Sequence, residues 1–382
     1  MRILIATGIF TPEVGGPATY TPKIASKLVE AGHKVTVITY SNTDEHESDA
    51  KQPFFVVRVR RGNRLAQMYR FFKATFKHSK GADLIYTLDW LAAGIPVMKV
   101  AFLRRIPYMV RIGGDYAWDT KYLESGKEPM TLKDFYEKGI YRTSPYRIYF
   151  RLVRMVLRRA TNVIYNSAQQ RELYAKYFGI DDAHSSVIPN PVPLFYWNDI
   201  ARGQPSYEIV YMGRFVVMKN VESLVRAFAK AKLSNAFTLL LIGDGPQKAA
   251  LQHLVQKLGV EARVTIMPSM QQHELYHRVR NCRASVLPSW TDISPNTVFE
   301  ALAIGLPTIV TRENYLSIHD ALPEMIDPSS IDDIASKLEM LGDYDRYKVF
   351  ADAFKAISFS YGWDEATRDH LAIFAKTLQR KA

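Results

Sequence analysis

The sequence holds a single cysteine, Cys282, among 382 residues. No disulfide can form within the chain, which excludes a disulfide-stapled scaffold and fits a reducing compartment. A lone thiol without a partner motif reads as a core residue. Long apolar runs are also missing. The N-terminus passes from Ile3-Leu4-Ile5-Ala6 into a Gly/Pro loop, without the extended apolar segment of a secretory leader. The most apolar stretch, Leu88 to Phe102, carries Asp89 and Lys99 and falls short of the ~20 residues needed to span a bilayer. The expected location is the cytoplasm, with room for a peripheral role at the inner membrane surface. Low-complexity tracts are absent, and with 47% hydrophobic and 23% charged residues the composition is globular, enough for roughly two or three domains.

Acidic charge is scarce in one half only. Residues 1–200 hold 29 Lys/Arg against 18 Asp/Glu, whereas residues 201–382 hold 21 against 20. Nearly all of the net charge of +12 therefore sits in the first half. Such a field suits an anionic partner: phospholipid headgroups, an acidic glycan, a lipid pyrophosphate or nucleic acid. Plain solubility charge is the competing reading. Arg147, Arg151, Arg154 and Arg158 form one stripe of a helix, with Ile148, Leu152, Met155 and Val156 supplying apolar surface. Arg58, Arg60, Arg61 and Arg64 form a second basic run. Peripheral contact with an anionic membrane is one expectation from this pattern, and a solvated basic face is the other. Aromatic platforms are not organised for stacking bases, so no nucleic-acid partner is expected.

The chain alternates strand and helix signals. Arg2–Thr7 reads as a strand, 8–17 as a Gly/Pro loop, Thr19–Ala31 as a helix and Lys34–Tyr40 as a second strand. This βαβ opening implies a parallel sheet. Further strands are expected over Phe54–Val59, Asp83–Thr87, Pro107–Ile112 and Asn162–Asn166, with helices over Arg64–His78, Tyr146–Ala160 and up to about Phe178. Residues 113–145 lack clear periodicity and read as a long loop with short helical turns. Asn190-Pro-Val-Pro193 and the polar stretch to Ser206 mark a domain boundary. The rhythm then repeats, with strands over Glu208–Met212, Thr238–Ile242, Arg263–Ile266, Ala284–Leu287 and Thr308–Thr311. Helices are expected over Val221–Ala231, up to Leu258, over Gln271–Arg280 and Asn296–Ile304, and at the close over about Trp363–Gln379. The expected architecture is α/β: two Rossmann-like, doubly wound domains facing each other across a cleft. They cover residues 1–195 and 196–360, and a closing helix over 361–382 is free to cross back to the first. Ligands in such folds bind beyond the carboxyl ends of the strands.

Three constellations could carry chemistry there. Gly15-Gly16-Pro17 precedes the first helix, where bare backbone N–H groups and a helix start favour a phosphate. Its spacing is not Gly-x-Gly-x-x-Gly, which argues against a dinucleotide fingerprint and a nicotinamide-dependent oxidoreductase. Gly213-Arg214-Phe-Val-Val-Met-Lys219-Asn220 follows a strand and offers a planar fork and a point charge, a set suited to a diphosphate. Asp292 and Glu300 flank Ser294-Pro295-Asn296-Thr297. Pro295 suits an early helix position, so the amides of Asn296 and Thr297 would form an anion cradle, and Glu300, a turn further on, could accept from ribose hydroxyls. Each has a structural reading as well: a plain turn, surface cations, or a helix start with a favourable dipole.

Together these motifs resemble family 4 glycosyltransferases, enzymes of the GT-B fold. Pro288-Ser-Trp-Thr-Asp292 through Glu300 to Gly305-Leu-Pro307 is similar to that family's Glu-x7-Glu signature. Gly213 to Lys219 resembles its Gly-Arg-…-Lys element, Gly243-Asp-Gly-Pro246 its Gly-x-Gly-Pro turn, and Gly15-Gly16 its N-terminal loop. The resemblance spans nearly the whole chain. It implies a retaining transferase that needs no metal or other cofactor and uses a nucleotide-sugar donor, a UDP- or GDP-sugar. Arg214 and Lys219 would neutralise the diphosphate, Glu300 would hold the ribose, and Asp292 and the following amides would contact sugar and phosphate. Gly15-Gly16 would close over the phosphate, and the Gly213 and Gly243 turns would shape the donor site. The acceptor would be a glycan or lipid-linked molecule of the cell surface. Two departures stand out. Asp292 replaces the usual first Glu, and Gly113 falls where family members commonly carry a histidine. Asp115 is the first substitute for that histidine, and Asp89 the second. A catalytically silent nucleotide-sugar-binding homologue is the alternative that these departures keep open.

Overall fold

The structure, a computed structural model, describes residues 1–13, 15–192, 202–293 and 295–379. The chain forms two compact units. Met1–Ala117, Gly139–Pro191 and the residues from Tyr361 onward make the first; Trp118–Lys138 and Val192–Ser360 make the second. The boundary expected at 195/196 falls in 193–201, outside the described residues.

The first unit holds β1 (Arg2–Thr7), α1 (Gly16–Glu30), β2 (Lys34–Ser41), β3 (Phe55–Arg60), α2 (Arg64–His78), β4 (Leu84–Thr87), α3 (Gly94–Arg104) and β5 (Tyr108–Arg111). Its sheet has the order β3-β2-β1-β4-β5-β6-β7, all parallel. After α4 (Leu132–Glu137), which belongs to the second unit, come α5 (Tyr146–Arg159), β6 (Asn162–Tyr165), α6 (Ala168–Phe178) and β7 (Ser185–Val187). Alternate strand residues sort the layers, because successive side chains point to opposite faces. Ile3, Ile5, Val35, Val37, Leu84, Tyr86 and Met109 pack with Ile24 and Leu28 of α1 and with Phe374. The opposite face carries α2, α3 and α5: the Tyr40 ring lies 4.5 Å from Phe71 of α2, and the Tyr108 hydroxyl donates to the Val156 carbonyl of α5 at 2.5 Å.

The second unit repeats the plan with β8 (Glu208–Met212), α7 (Val221–Lys230), β9 (Thr238–Ile242), α8 (Lys248–Lys257), β10 (Val264–Met267), α9 (Gln272–Val279), β11 (Ala284–Leu287), α10 (Asn296–Ala303), β12 (Thr308–Thr311) and β13 (Met325–Ile326). Its parallel order is β10-β9-β8-β11-β12-β13. α11 (Ile331–Met340) and α12 (Tyr344–Lys355) follow, and α13 (Trp363–Gln379) packs against α1 of the first unit.

The chief departure from the sequence reading is the segment 118–138, read there as a first-domain loop. It groups with the second unit, anchored by the Leu132 N–H, which donates to Thr291 Oγ1 at 2.9 Å. Trp118 and Phe135 are fully buried, and Trp118 Nε1 donates to the Met130 carbonyl at 2.9 Å. Its aromatics fill space irregularly, so no period advertises them. Helix α3 also carries no amphipathic period, because nearly every side chain in Gly94–Ala101 is buried.

Candidate functional site

In the second unit the strand order reverses between β8 and β11, so the loops after these strands flank the crevice where α/β sheets bind ligands. The first loop runs from Gly213 to Asn220, and the second from Pro288 to Pro295. Lys219 and Asp292 meet across this point in a charge-assisted hydrogen bond between Nζ and Oδ1. Asp292 is only 3% exposed, and its Oδ2 is buried without a hydrogen-bond partner. Backbone holds the carboxylate in place: the Asp292 N–H donates to the Glu313 carbonyl at 2.9 Å, and its own carbonyl accepts from Tyr315 N–H at 2.8 Å.

Asn220 completes the frame. Its backbone is left-handed at φ 51°, a conformation asparagine tolerates better than most residues. Its buried Nδ2 donates to the Pro288 carbonyl at 3.1 Å and the Pro328 carbonyl at 2.9 Å, tying together loops that follow three strands. Sequence reasoning missed this role; an Asn directly after the loop lysine, just before a helix, is the signal that could have found it. Tyr211 is a second omission. Its hydroxyl donates to the Arg214 carbonyl at 2.9 Å. Burial pushes that hydroxyl well above its usual range, the nearby Asp292 carboxylate raises it further, and Arg214 opposes. Arg214 itself is exposed.

The glycines serve close packing. A Cβ on Gly243 would lie 1.8 Å from the Gly213 carbonyl oxygen, and one on Gly245 would lie 2.4 Å from that of Phe215. The turns after β8 and β9 are therefore pressed backbone to backbone, and Phe215 N–H donates to the Asp244 carbonyl at 2.9 Å. Lys248, with the Ser269 N–H and hydroxyl, holds the Asp244 carboxyl down to about 2.

Pro295 occupies the N-cap of α10 rather than its first turn, with no side-chain cap and no acidic residue in that turn. The amides of Asn296 and Thr297 open the helix. Glu300 lies one turn in and reaches toward α9, where Gln272 Nε2 donates to Glu300 Oε1 at 3.1 Å and to the Tyr276 hydroxyl at 2.7 Å. Beside the start of α9, Met267, Pro268, Ser269, Met270, Gln271 and Glu274 line an open depression of about 550 Å³. Lys219 and Asp292 are thus in direct contact, Gly213 and Gly243 abut, and Glu300 is coupled to α9.

Gly15, Gly16 and Asp115 lie in the first unit. Gly15 is the N-cap of α1, and Thr19 N–H donates to its carbonyl at 3.1 Å. A Cβ on Gly15 would strike Ile9 at 2.6 Å, whereas one on Gly16 meets nothing within 4 Å. Asp115 is 2% exposed and accepts from Ala117 N–H at 3.0 Å and the Tyr174 hydroxyl at 3.4 Å. Each of its oxygens accepts a hydrogen bond, which anchors the loop after β5. Asp89 sits at the first unit's own reversal point, between β1 and β4. Its Oδ1 accepts from Leu91 N–H at 2.8 Å and Ala93 N–H at 3.2 Å, and a Cβ on Gly8 would lie 2.4 Å from its Oδ2. Burial raises the Asp89 carboxyl above its usual range, against those backbone N–H groups.

Two doubly wound parallel sheets, one ending in a cross-loop cation–carboxylate pair ahead of a bare helix start, define a glycosyltransferase of the GT-B fold. The chain belongs to the family 4 glycosyltransferases. Residues 15–191 match the glycosyl transferase 4-like domain, and residues 198–341 match the glycosyl transferases group 1 family. It is 23% identical to an uncharacterized glycosyltransferase of Methanocaldococcus jannaschii over 98% of both chains. It is 24% identical to an alpha-monoglucosyldiacylglycerol synthase of Streptococcus pneumoniae, over 83% of this chain and 72% of that one. In fold it is similar to Anabaena HepE, solved with UDP-glucose, at a TM-score of 0.73 and 16% identity, covering all of both chains.

Proposed function

We propose that this glycosyltransferase takes its sugar from a nucleotide-sugar, a UDP- or GDP-sugar, and passes it with retained configuration and without a metal to a glycan or lipid-linked acceptor. The observation that carries this reading is the Lys219–Asp292 pair spanning the β8/β11 reversal, with Asp292 Oδ2 buried and unpartnered. A buried oxygen without a partner is costly unless a ligand donates to it, and a sugar hydroxyl can. Lys219 and Arg214 lie on one loop and would stabilise the charge that develops on the departing diphosphate. Glu300 would accept from the ribose, and the depression beside α9 would take the base. The resulting site needs no protein base if the leaving phosphate takes the acceptor proton. That matters here because Gly113 has no side chain and Asp115 anchors the loop after β5. The sequence similarity to an enzyme that glucosylates a diacylglycerol lipid supports a lipid-linked acceptor, and such an acceptor would bring the protein to a membrane surface.

The test is a thermal-shift and turnover panel with UDP- and GDP-sugars. A donor present at ~100 times its dissociation constant should stabilise the protein by about 2.7 kcal/mol. Glu300→Ala should abolish that shift, and Lys219→Ala should abolish transfer. No shift with any nucleotide-sugar would overturn the reading. Tight donor binding with neither transfer nor hydrolysis, across acceptors with and without lipid, would instead establish the silent homologue.

A further inference from the structure

The first unit carries its excess positive charge on one set of neighbouring helices. α3 packs against both α2 and α5. Arg104 at the end of α3 donates to the Phe76 carbonyl of α2 at 2.9 Å, and its guanidinium stacks 3.9 Å from the Phe76 ring. Arg159 of α5 reaches Met98 of α3, and Arg64 at the start of α2 lies 5.7 Å from the Tyr149 ring of α5. Residues 64–80, 94–105 and 146–159 together contain 13 Lys/Arg and no Asp or Glu. All of these cations except Arg104 are exposed.

Solubility charge alone would put polar neighbours between these cations. Instead the same helices expose large apolar side chains: Leu65 at 80%, Tyr69 and Phe76 on α2, Phe102 at 82% and Leu103 on α3, and Ile148 on α5. Phe55 joins them through its ring contact with His78 at the end of α2. Of the ten large apolar side chains exposed among the described residues, these are seven; the other three, Tyr207, Tyr344 and Val349, lie in the second unit. Exposed apolar surface gathered in one place and ringed by cations is unusual on a protein that is only solvated.

We propose that the α2–α3–α5 face docks the protein on the headgroup region of an anionic lipid bilayer. Phe102, Leu103 and Leu65 enter the interface, while the surrounding lysines and arginines lie against lipid phosphates. The mode is peripheral, since among the described residues no helix is long and apolar enough to cross a membrane. The surface differs from the one the sequence suggested. Arg58, counted there in a basic run, is buried and paired in a two-pronged contact with Asp49, and Arg61 is paired with Glu13. Arg58 is thus withdrawn from the surface, and the charge of the half-buried Arg61 is met locally by Glu13. The α5 stripe is one flank of the surface, and the consecutive Phe102 and Leu103 give it its greatest apolar exposure.

The full chain would be sedimented with vesicles of phosphatidylcholine alone and of phosphatidylcholine with about 30% phosphatidylglycerol, at about 0.1 M salt. Binding to the anionic vesicles should exceed binding to neutral ones by about tenfold or more, and should weaken as salt rises. Phe102→Ser with Leu103→Ser should lower partitioning by roughly tenfold. Lys77→Glu with Arg151→Glu should lower it comparably, whereas Tyr344→Ser with Val349→Ser in the second unit should leave it unchanged. Equal binding to both vesicle types would overturn the proposal. So would binding that the Phe102/Leu103 variant retains while a DNA duplex competes for it, since that marks a surface for any polyanion. Melting temperature and nucleotide-sugar binding, measured on the same variants, separate a lost surface from a lost fold. They also keep failure of vesicle binding distinct from failure of the donor reading.

Discussion

The two sheets end in the same kind of crevice and furnish it by opposite means. In the second unit, charges from different loops meet across the strand reversal, as in Lys219 with Asp292. In the first, the carboxylates at the strand ends, Asp89 and Asp115, are held by N–H groups of their own loops, with the Tyr174 hydroxyl helping Asp115. The first unit has cations in excess, yet it spends them on its outer helices. A nearly neutral unit can thus bring opposite charges into contact at its strand ends, because local placement decides that contact and net charge does not. Net charge acts over longer range, on encounter with surfaces.

The contrast can be broken most severely at the glycines. Gly243→Ala forces a Cβ to within 1.8 Å of a carbonyl oxygen, so it should destabilise the protein by about 4 kcal/mol or more. Its counterpart in the first unit, Gly16→Ala, fills open space and should leave stability within about 0.5 kcal/mol. Denaturant unfolding of both variants checks this. Equal losses would show that the two glycine turns are built alike.

A smaller effect on stability, and a large one on rate, is expected at the ion pair. Lys219→Met leaves Asp292 buried and unpaired and should cost about 3 kcal/mol. Transfer should fall by roughly 10²–10³-fold. Adding Asp292→Asn should restore most of the stability and none of the rate. Recovery of transfer in the double variant would mean that the pair is only structural.

The gentlest probe is Asp89. Its folded pKa is raised, so the folded state holds the proton more tightly than the unfolded chain. Stability is therefore lost as pH climbs from the unfolded carboxyl value through the raised one. Asp89→Asn cannot ionise, and its Oδ1 can still accept from Leu91 and Ala93. Its melting temperature should exceed that of the wild type at pH 7, and the gap should close below about pH 4. The reverse order would show that the backbone N–H groups outweigh burial.

Much of this was legible in the chain. The strands Arg2–Thr7, Glu208–Met212, Thr238–Ile242, Ala284–Leu287 and Thr308–Thr311 have the bounds read from sequence, because buried parallel strands are short apolar runs with a Gly or Pro at one end. Lys219 and Asp292 were named from their loops alone, although 72 residues separate them. Their direct contact was not foreseen, since sequence does not show which two loops flank a reversal in strand order. The clamp at Asn220 was missed because it depends on a backbone conformation, and the exposure of Phe102 and Leu103 because α3 is otherwise buried. Segment 118–138 was misplaced for a third reason: chain order does not fix which core a cluster of aromatics joins.

Helix α13 closes the first unit with residues made after the whole of the second. His370, fully buried and held neutral down to about 3 by its surroundings, bonds the Tyr86 hydroxyl at 3.0 Å and approaches that of Tyr20 at 3.3 Å. Phe374 fills the same core. On the ribosome, the second unit has all its parts once residue 360 emerges. The unit begun first must wait with an open core until α13 has followed, so it is the more exposed of the two to chaperones and proteases during synthesis.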